Sequence, residues 1–492
     1  MNVSKRSLCW IGLILSLGLV LSLGTGTPGV RAQPGKPGGK LSYRLSLLAE
    51  PGLAAQDVCE QARELSLLPK GPGSLIRSSE GEILVYIRLR EVSATSLQAL
   101  RDAGVQVTHV AEAYRTVTAY VHPGSLGALA TLGDVENAQE ALAPSVSKVV
   151  SEGDTQLRAD VARSTWSLDG SGVTVGVLSD SYARVMMPTS AYSDVLSADL
   201  PGTGNPEGHT TPVVVTKEYT GADPVDEGRA MLQIVHDLAP GANLAFATAF
   251  QGFYEFADNI RRLRNEAGAD IIVDDVGYFA EPFFQDGPIS VAVRDVTSQG
   301  AIYFSAAGNS HVEDGSGNAI GSYEAASYRP ATCPVIYISG IPGPAGVDCH
   351  DFDPGFGTDG TMGFVLAPGG YLLMVFQWAE PWHGVQTDLD IYLVDGTSTV
   401  IAGSIEENPG PFGSQKPYEL MGYWNTTGSL QPVRLVINRY SGSATPRIKY
   451  VLVASDGVLS SEYNASNNAT DAFGPTVYGH PGANEAISIG AV

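Results

Sequence analysis

Gly172-Val173-Thr174-Val175-Gly176-Val177-Leu178-Ser179-Asp180 is the stretch whose reading decides the fold. Residues 173–178 are apolar or small at nearly every position instead of every second one, so the strand they form is expected to be covered on both faces, as in a parallel sheet. The turn Asp169-Gly170-Ser171-Gly172 leads into it, and it ends on an acid, Asp180. Downstream the same style repeats. Strands are expected at 212–216, 243–248, 271–274 and 302–305, separated by helical spacing at 227–237, 252–267 and 289–298. Strands alternating with helices predict an α/β unit with a parallel sheet. In such sheets the reactive groups gather where strands end and helices begin.

Working outward from this unit, residues 83–90 alternate as a strand and 95–103 read as a helix closed by Gly104. Strands at 105–110 and 116–121, a helix from Pro123 to Leu132 and an extended piece near Val135 complete a βαββαβ order, the ferredoxin-like arrangement. On its own that arrangement says nothing about function. On the other side, 334–475 reads as a β-sandwich, with strands at 361–366, 372–378, 388–394, 433–439 and 448–453 between Gly, Pro and Asn clusters. Residues 486–492 return to the α/β style, so the sandwich is expected to be an insertion. The N-terminus carries Lys5 and Arg6, an apolar run over 8–23, and Val30-Arg31-Ala32. That is the pattern of a secretory signal cut after Ala32, with a retained membrane anchor as the competing reading. The expected organisation is therefore 1–32 signal peptide, 33–150 βαββαβ region, 151–333 first part of the α/β domain, 334–475 inserted sandwich and 476–492 the return to the α/β domain.

Composition narrows the function classes. Among 492 residues, 52 acidic against 29 basic side chains give a formal charge of −23, the wrong sign for a nucleic-acid surface. Four cysteines are too few for a disulfide miniprotein, and one of them, Cys9, lies in the signal run. In an oxidising compartment Cys333 and Cys349 could pair, leaving Cys59 odd. No later stretch of about 20 apolar residues follows the signal, so no membrane association is expected after its removal.

Three places at strand ends carry candidate chemistry: Asp180, the helix start Asp226-Glu227-Gly228-Arg229, and Phe304-Ser305-Ala306-Ala307-Gly308-Asn309. Singly they are weak, because a strand-terminal Asp is usually a turn or cap residue and Asn after Gly is usually a turn. Taken in order, they resemble the subtilisin-like serine peptidases over residues 169–492. The stretch ending at Asp180 is similar to that family's aspartate motif, and residues 227–242 to its histidine helix. Ala306-Ala307-Gly308-Asn309 is similar to the motif whose Asn donates to the oxyanion, and Asp275-Val276-Gly277 occupies the place of the segment lining the substrate cleft. The βαββαβ region then resembles an inhibitory propeptide bound to its own catalytic domain, and the insertion resembles a pre-peptidase sandwich, its pattern echoed by Asp388-Leu389-Asp390-Ile391-Tyr392.

The resemblance implies a secreted (extracellular or periplasmic) serine endopeptidase precursor acting on proteins or peptides, with Asp180, Glu227 and Asn309 catalytic and Asp275, Val276 and Gly277 binding substrate. Departures shape the expectation. Glu227 stands where the family has its general-base His, an arrangement related to the Ser-Glu-Asp set of sedolisins. Their helix carries an Asp four residues later, where this chain has Met231, so Asp180 is the expected acidic partner. Ungapped alignment sets Ser179, not Asp180, at the acid position. The nucleophile segment is expected to fall after Val492, in which case this 492-residue chain is an inactive truncated form. Gly396-Thr397-Ser398 follows a sandwich strand without the required helix and Pro, and is read as a decoy. Without a nucleophile the competing reading is a non-catalytic pseudo-protease that binds peptides; a nucleotide-dependent oxidoreductase is the third, disfavoured by the lack of a Gly-x-Gly-x-x-Gly after any strand.

No cofactor is expected beyond a structural calcium ion, with Asp388 and Asp390 as candidate ligands and solvated acids as the plainer reading. Tyr278, Phe279, Phe283 and Phe284 form core or wall an apolar pocket. Asn425, Asn464 and Asn468 begin glycosylation sequons, and propeptide cleavage is expected within 145–151.

Overall fold

The computed structural model describes residues 39–144, 153–338, 340–344 and 346–490, so the expected signal peptide and the 145–151 cleavage region lie outside the described residues. The first sheet is antiparallel and four-stranded, with β1 (Ile83–Leu89), β2 (Gln106–Ala111), β3 (Thr116–Val121) and β4 (Val135–Glu140) in the order β2-β3-β1-β4. Helix Ala94–Asp102 begins where Ser93 and Ser96 cap each other reciprocally, and it stops at Gly104, whose φ of 81° suits the left-handed exit. Side chains of β1 alternate between two cores. Leu84 and Tyr86 enter the core of the parallel-sheet unit, while Ile83, Val85 and Ile87 pack with Leu100, Leu126 and Leu129.

The second sheet is parallel and holds β5 (Thr174–Ser179), β6 (Val214–Lys217), β7 (Asn243–Thr248), β8 (Ile271–Asp274), β9 (Ile302–Ala306) and the closing strand Ala486–Ile489. From one edge its order is closing strand, β9, β8, β5, β7, β6. The chain leaves β5 toward one side and later crosses to β8 on the other, which makes the carboxyl end of β5 a topological switch point. Leu178, Ile272 and Tyr303 pack under helices Phe253–Asn265 and Pro288–Ser298, whereas Val175, Val177 and Phe246 pack with Leu232 of helix Glu227–Leu238. Both faces are covered, the physical cause of the continuous apolar run.

The third sheet is large and antiparallel, and takes in strands from Ser322–Ala325 and Pro330–Ala331 onward. The strands expected at 361–366 and 372–378 are one 17-residue strand, Met362–Trp378. Pro368-Gly369-Gly370 reads as a break but acts as a bend, with Gly369 at φ 74° and a register shift between Leu366 and Tyr371. Leu372, Met374, Phe376 and Trp378 fill the unit's own core, and the intervening Leu373 and Val375 face the cluster shared with the N-terminal module. Gly396-Thr397-Ser398 lies in the tight turn joining Asp388–Val394 to Val400–Ser404, where the Ser398 N–H donates to the Asp395 carbonyl at 3.0 Å.

Cys333 and Cys349 are bonded. One expectation changes. The sequon asparagines are buried, because their amides are used inside the fold: the Asn425 Nδ2 donates to the carbonyls of Leu366, Ala367 and Ser429 at 3.2, 2.8 and 2.7 Å. In the folded chain they are not accessible acceptors for glycan.

The three units meet around Tyr86, Phe253, Trp382 and Lys416. The Tyr86 hydroxyl accepts the Phe253 N–H at 3.0 Å, capping the helix it opens, and the two rings cross edge-on at 4.8 Å. The buried Lys416 ammonium lies 4.9 Å from the Trp382 ring, 5.4 Å from Phe253 and 5.8 Å from Tyr86. Burial lowers its pKa to about 8, against the raising influence of Glu140. Tyr86→Phe is expected to lower unfolding stability in urea by about 1–2 kcal/mol, because the helix N–H is left buried and unpaired; an unchanged midpoint would mean that it finds another acceptor.

Candidate functional site

Register sets the site. In the parallel sheet Leu178 lies opposite Asp274, and Asp274 opposite Ser305. The residues just beyond these positions therefore emerge side by side at the carboxyl end: Asp180 after β5, Asp275-Val276-Gly277 after β8, and Gly308-Asn309 after β9. Asn309 is exposed after Gly308, whose φ is 86°; Asp275 and Gly277 are half-buried, and Val276 points into the core.

Asp180 is buried and its carboxylate accepts the backbone N–H groups of Val225 at 2.7 Å, Asp226 at 3.2 Å and Glu227 at 2.7 Å. These donors lie at the start of helix Glu227–Leu238. Asp226, its N-cap residue, sits in a left-handed conformation with φ 56° and makes no side-chain cap of its own. A distant strand end thus supplies the cap, and its negative charge complements the positive end of the helix dipole. The Ser181 hydroxyl lies 2.7 Å from an oxygen of Asp180 and 2.7 Å from one of Asp226, and its single proton serves one of them at a time. Asp226 also accepts the N–H groups of Arg184 and Val185 and pairs with Arg229 at 3.3 Å; Arg229 in turn pairs with Asp194 at 3.1 Å. Arg229 is the buried cation that offsets this acidic corner.

Glu227 is buried in the first turn of the helix. Its neighbour Gly228 has to be glycine: a Cβ there would stand 2.2 Å from the Phe246 ring and 2.9 Å from the Ser181 carbonyl. That close approach seats the helix against β7 and the turn after β5. His236 is buried at the far end of the same helix, its ring 5.2 Å from that of His209, well removed from Glu227 along the helix.

A second titratable cluster, missed in the sequence, lies under the site. His480 is 0% exposed; its Nδ1 lies 2.9 and 3.0 Å from the two Glu281 oxygens and its Nε2 lies 3.1 Å from Asp274 Oδ1. Burial alone would lower its pKa, but the carboxylates of Glu281 and Asp274 outweigh that and raise it to about 10. The Ser305 hydroxyl is 3.2 Å from His480 Nε2, an order of Ser, His and acid that looks like a hydrolase triad. It cannot act as one. Ser305 donates its proton to Asp274 at 2.8 Å, His480 is held as an imidazolium with no basic nitrogen free, and all four side chains are sealed from solvent. The signal that could have found the cluster is the acid doublet Asp274-Asp275, which stands at the carboxyl end of β8.

Among the described residues no group of three or more His, Cys, Asp or Glu side chains is arranged to hold a metal ion, and no helix is long and apolar enough to cross a membrane. Asp388 and Asp390 are buried in the antiparallel sheet.

No family model matches the chain, and no curated protein does. Among solved structures it is similar to the epidermin leader peptide processing serine protease of Staphylococcus aureus, with 12% identity over 47% of this chain and a TM-score of 0.30; the match spans 62% of that protease. It is also similar to the CspB protease of Clostridium perfringens, at 11% identity, 69% of this chain, 73% of that one and a TM-score of 0.37. A third is fervidolysin from Fervidobacterium pennivorans, a keratinolytic enzyme related to subtilisin, at 12% identity, 73% of this chain, 57% of that one and a TM-score of 0.24. These neighbours are serine proteases at low identity, and the functional reading rests on the chain's own residues.

Proposed function

We propose that this protein is the precursor of a secreted, subtilisin-like serine endopeptidase of Asp-Glu-Ser type. The observation that carries the reading is the gathering of Asp180, Asp275-Val276-Gly277 and Asn309 at the carboxyl ends of β5, β8 and β9, with Glu227 opening the helix that Asp180 caps. In this reading Glu227 takes the proton of a serine hydroxyl as it attacks the peptide carbonyl, and Asn309 donates to the oxyanion. Asp275, Val276 and Gly277 line the substrate strand, with Val276 contributing through its backbone. Asp180 fixes the helix start and so the place of Glu227. The N-terminal four-stranded module is the ferredoxin-like propeptide, bound intramolecularly against helix Phe253–Asn265. Ser398 is not the nucleophile, since it sits in a turn of the antiparallel sheet.

The deciding measurement is casein hydrolysis by the protein as its native host secretes it, wild type against Glu227→Gln. The expected result is a fall in kcat of about 10²–10⁴-fold, the range for loss of a general base. Wild-type turnover by the variant would overturn Glu227 as base. Casein binding without cleavage by the wild type would favour the pseudo-protease reading, which the full engagement of Asp180 with backbone donors also suits. Activity of the 492-residue chain that disappears in Ser398→Ala would overturn the site altogether.

A further inference from the structure

We infer that His480, together with Asp274 and Glu281, is an ionic clamp that positions the segment Asp275-Val276-Gly277 at the carboxyl end of β8. The inference deepens the proposed function, resting on that segment being the substrate-lining strand, and adds positioning residues to it. Each carboxylate that holds the imidazolium also holds the segment's backbone. Asp274 Oδ1, 3.1 Å from His480 Nε2, accepts the Val276 N–H at 3.1 Å. Glu281, 2.9 Å from His480 Nδ1, accepts the Tyr278 N–H at 3.2 Å through one oxygen and the His480 N–H at 2.8 Å through the other. The segment is therefore gripped on both sides of Gly277, by two acids that would repel each other without the cation between them.

The clamp also ties neighbouring strands. Ser305 of β9 donates to the same Asp274 oxygen at 2.8 Å, four residues before Asn309. His480 opens the short turn His480–Gly482 that leads into the closing strand Ala486–Ile489, paired with β9 from Ala486 opposite Tyr303 to Ile489 opposite Ala306. One buried side chain thus links β8, β9 and the closing strand directly beneath the candidate site. The Phe256 and Tyr303 rings, nearly perpendicular to the imidazole with centroids 5.3 and 6.3 Å from it, close it off.

The test is amide hydrogen exchange on the full chain, wild type against His480→Gln. The loss of protection at Val276 and Tyr278 is expected to exceed that at Val175–Val177 in β5 and in the antiparallel unit by about 10²-fold. Wild-type exchange at Val276 and Tyr278 overturns the clamp, and so does an equal loss everywhere, which is the signature of a merely structural residue. If His480→Gln does not fold, Ser305→Ala replaces it. That variant removes one of the donors on Asp274, and about tenfold faster exchange confined to Val276 is expected; no change there overturns the proposal. In the host-secreted protein, His480→Gln is further expected to raise the KM for a casein peptide about tenfold with kcat within about threefold. Faster exchange at Val276 and Tyr278 in His480→Gln, together with a wild-type protein that neither binds nor cleaves casein, would sink the proposed function and leave the clamp standing.

Discussion

His480→Leu is expected to lower the unfolding free energy by about 3–5 kcal/mol at neutral pH, the usual result of removing one member of a buried ion pair. The side chain is fully buried between two carboxylates that also hold backbone N–H groups, so its loss leaves Asp274 and Glu281 facing each other without a cation. The pH dependence has a definite sign. The folded-state pKa is raised to about 10, whereas the unfolded imidazole titrates at its ordinary value of 6.5. Below 6.5 both states carry the proton and the stabilisation is fully present. Between 6.5 and about 10 only the folded state carries it, so stability falls by about 1.4 kcal/mol per pH unit as pH rises. Lys416 acts in the opposite sense. Its pKa is lowered to about 8 in the fold, so between about 8 and 10.5 the unfolded chain holds the extra proton and stability rises with pH. The two slopes oppose each other in the wild type above pH 8, and only the difference between wild type and His480→Leu isolates the histidine. Urea denaturation of both at pH 6, 8 and 9.5 is expected to give a difference that narrows with pH. A constant difference would mean that His480 carries no proton in the fold.

The same cluster marks where sequence reading stops. Strands at 116–121, 243–248 and 271–274 and helices beginning near 227, 253 and 288 were legible because local patterns fix them: continuous apolar runs for two-sided strands, and 3.6-residue spacing with Pro or acidic residues at the start for helices. Pro368-Gly369-Gly370 misleads for a physical reason. A glycine at positive φ is the common mark of a turn, yet a long strand passing between two sets of pairing strands needs the same freedom to bend. The sequons are legible as letters, but whether Asn425 is exposed depends on carbonyls nearly 60 residues away. His480 and Glu281 are 199 residues apart, and their meeting follows from the order in which strands join the sheet. Asp180 lies between these cases. Its position at a strand end was readable, but its donors come from residues 225–227, a contact that only the crossover past β6 creates.

Asp180→Ala is expected to cost about 3–4 kcal/mol, because several buried N–H groups lose their acceptor together where the helix has no cap of its own. The helix start is expected to fray as far as Gly228, where the tight approach to Phe246 depends on the N-terminal turn being held. Any reaction that runs through Glu227 then falls by about 10²–10³-fold, since a small misplacement of a base is enough to lose that much. Asp180→Asn separates chemistry from positioning. The amide keeps one oxygen for the Glu227 N–H but turns its NH₂ toward the Val225 and Asp226 donors, so its stability should lie between wild type and Asp180→Ala. If Asp180 acts by positioning, the loss of casein hydrolysis across Asp180→Asn, Asp180→Glu and Asp180→Ala tracks the loss of thermal stability. If it shares the proton with Glu227, Asp180→Asn abolishes turnover and moves the acid limb of the kcat profile at little cost in Tm. The geometry favours the first outcome, because the Asp180 carboxylate oxygens are already taken up by the Ser181 hydroxyl and the backbone donors at the head of the helix.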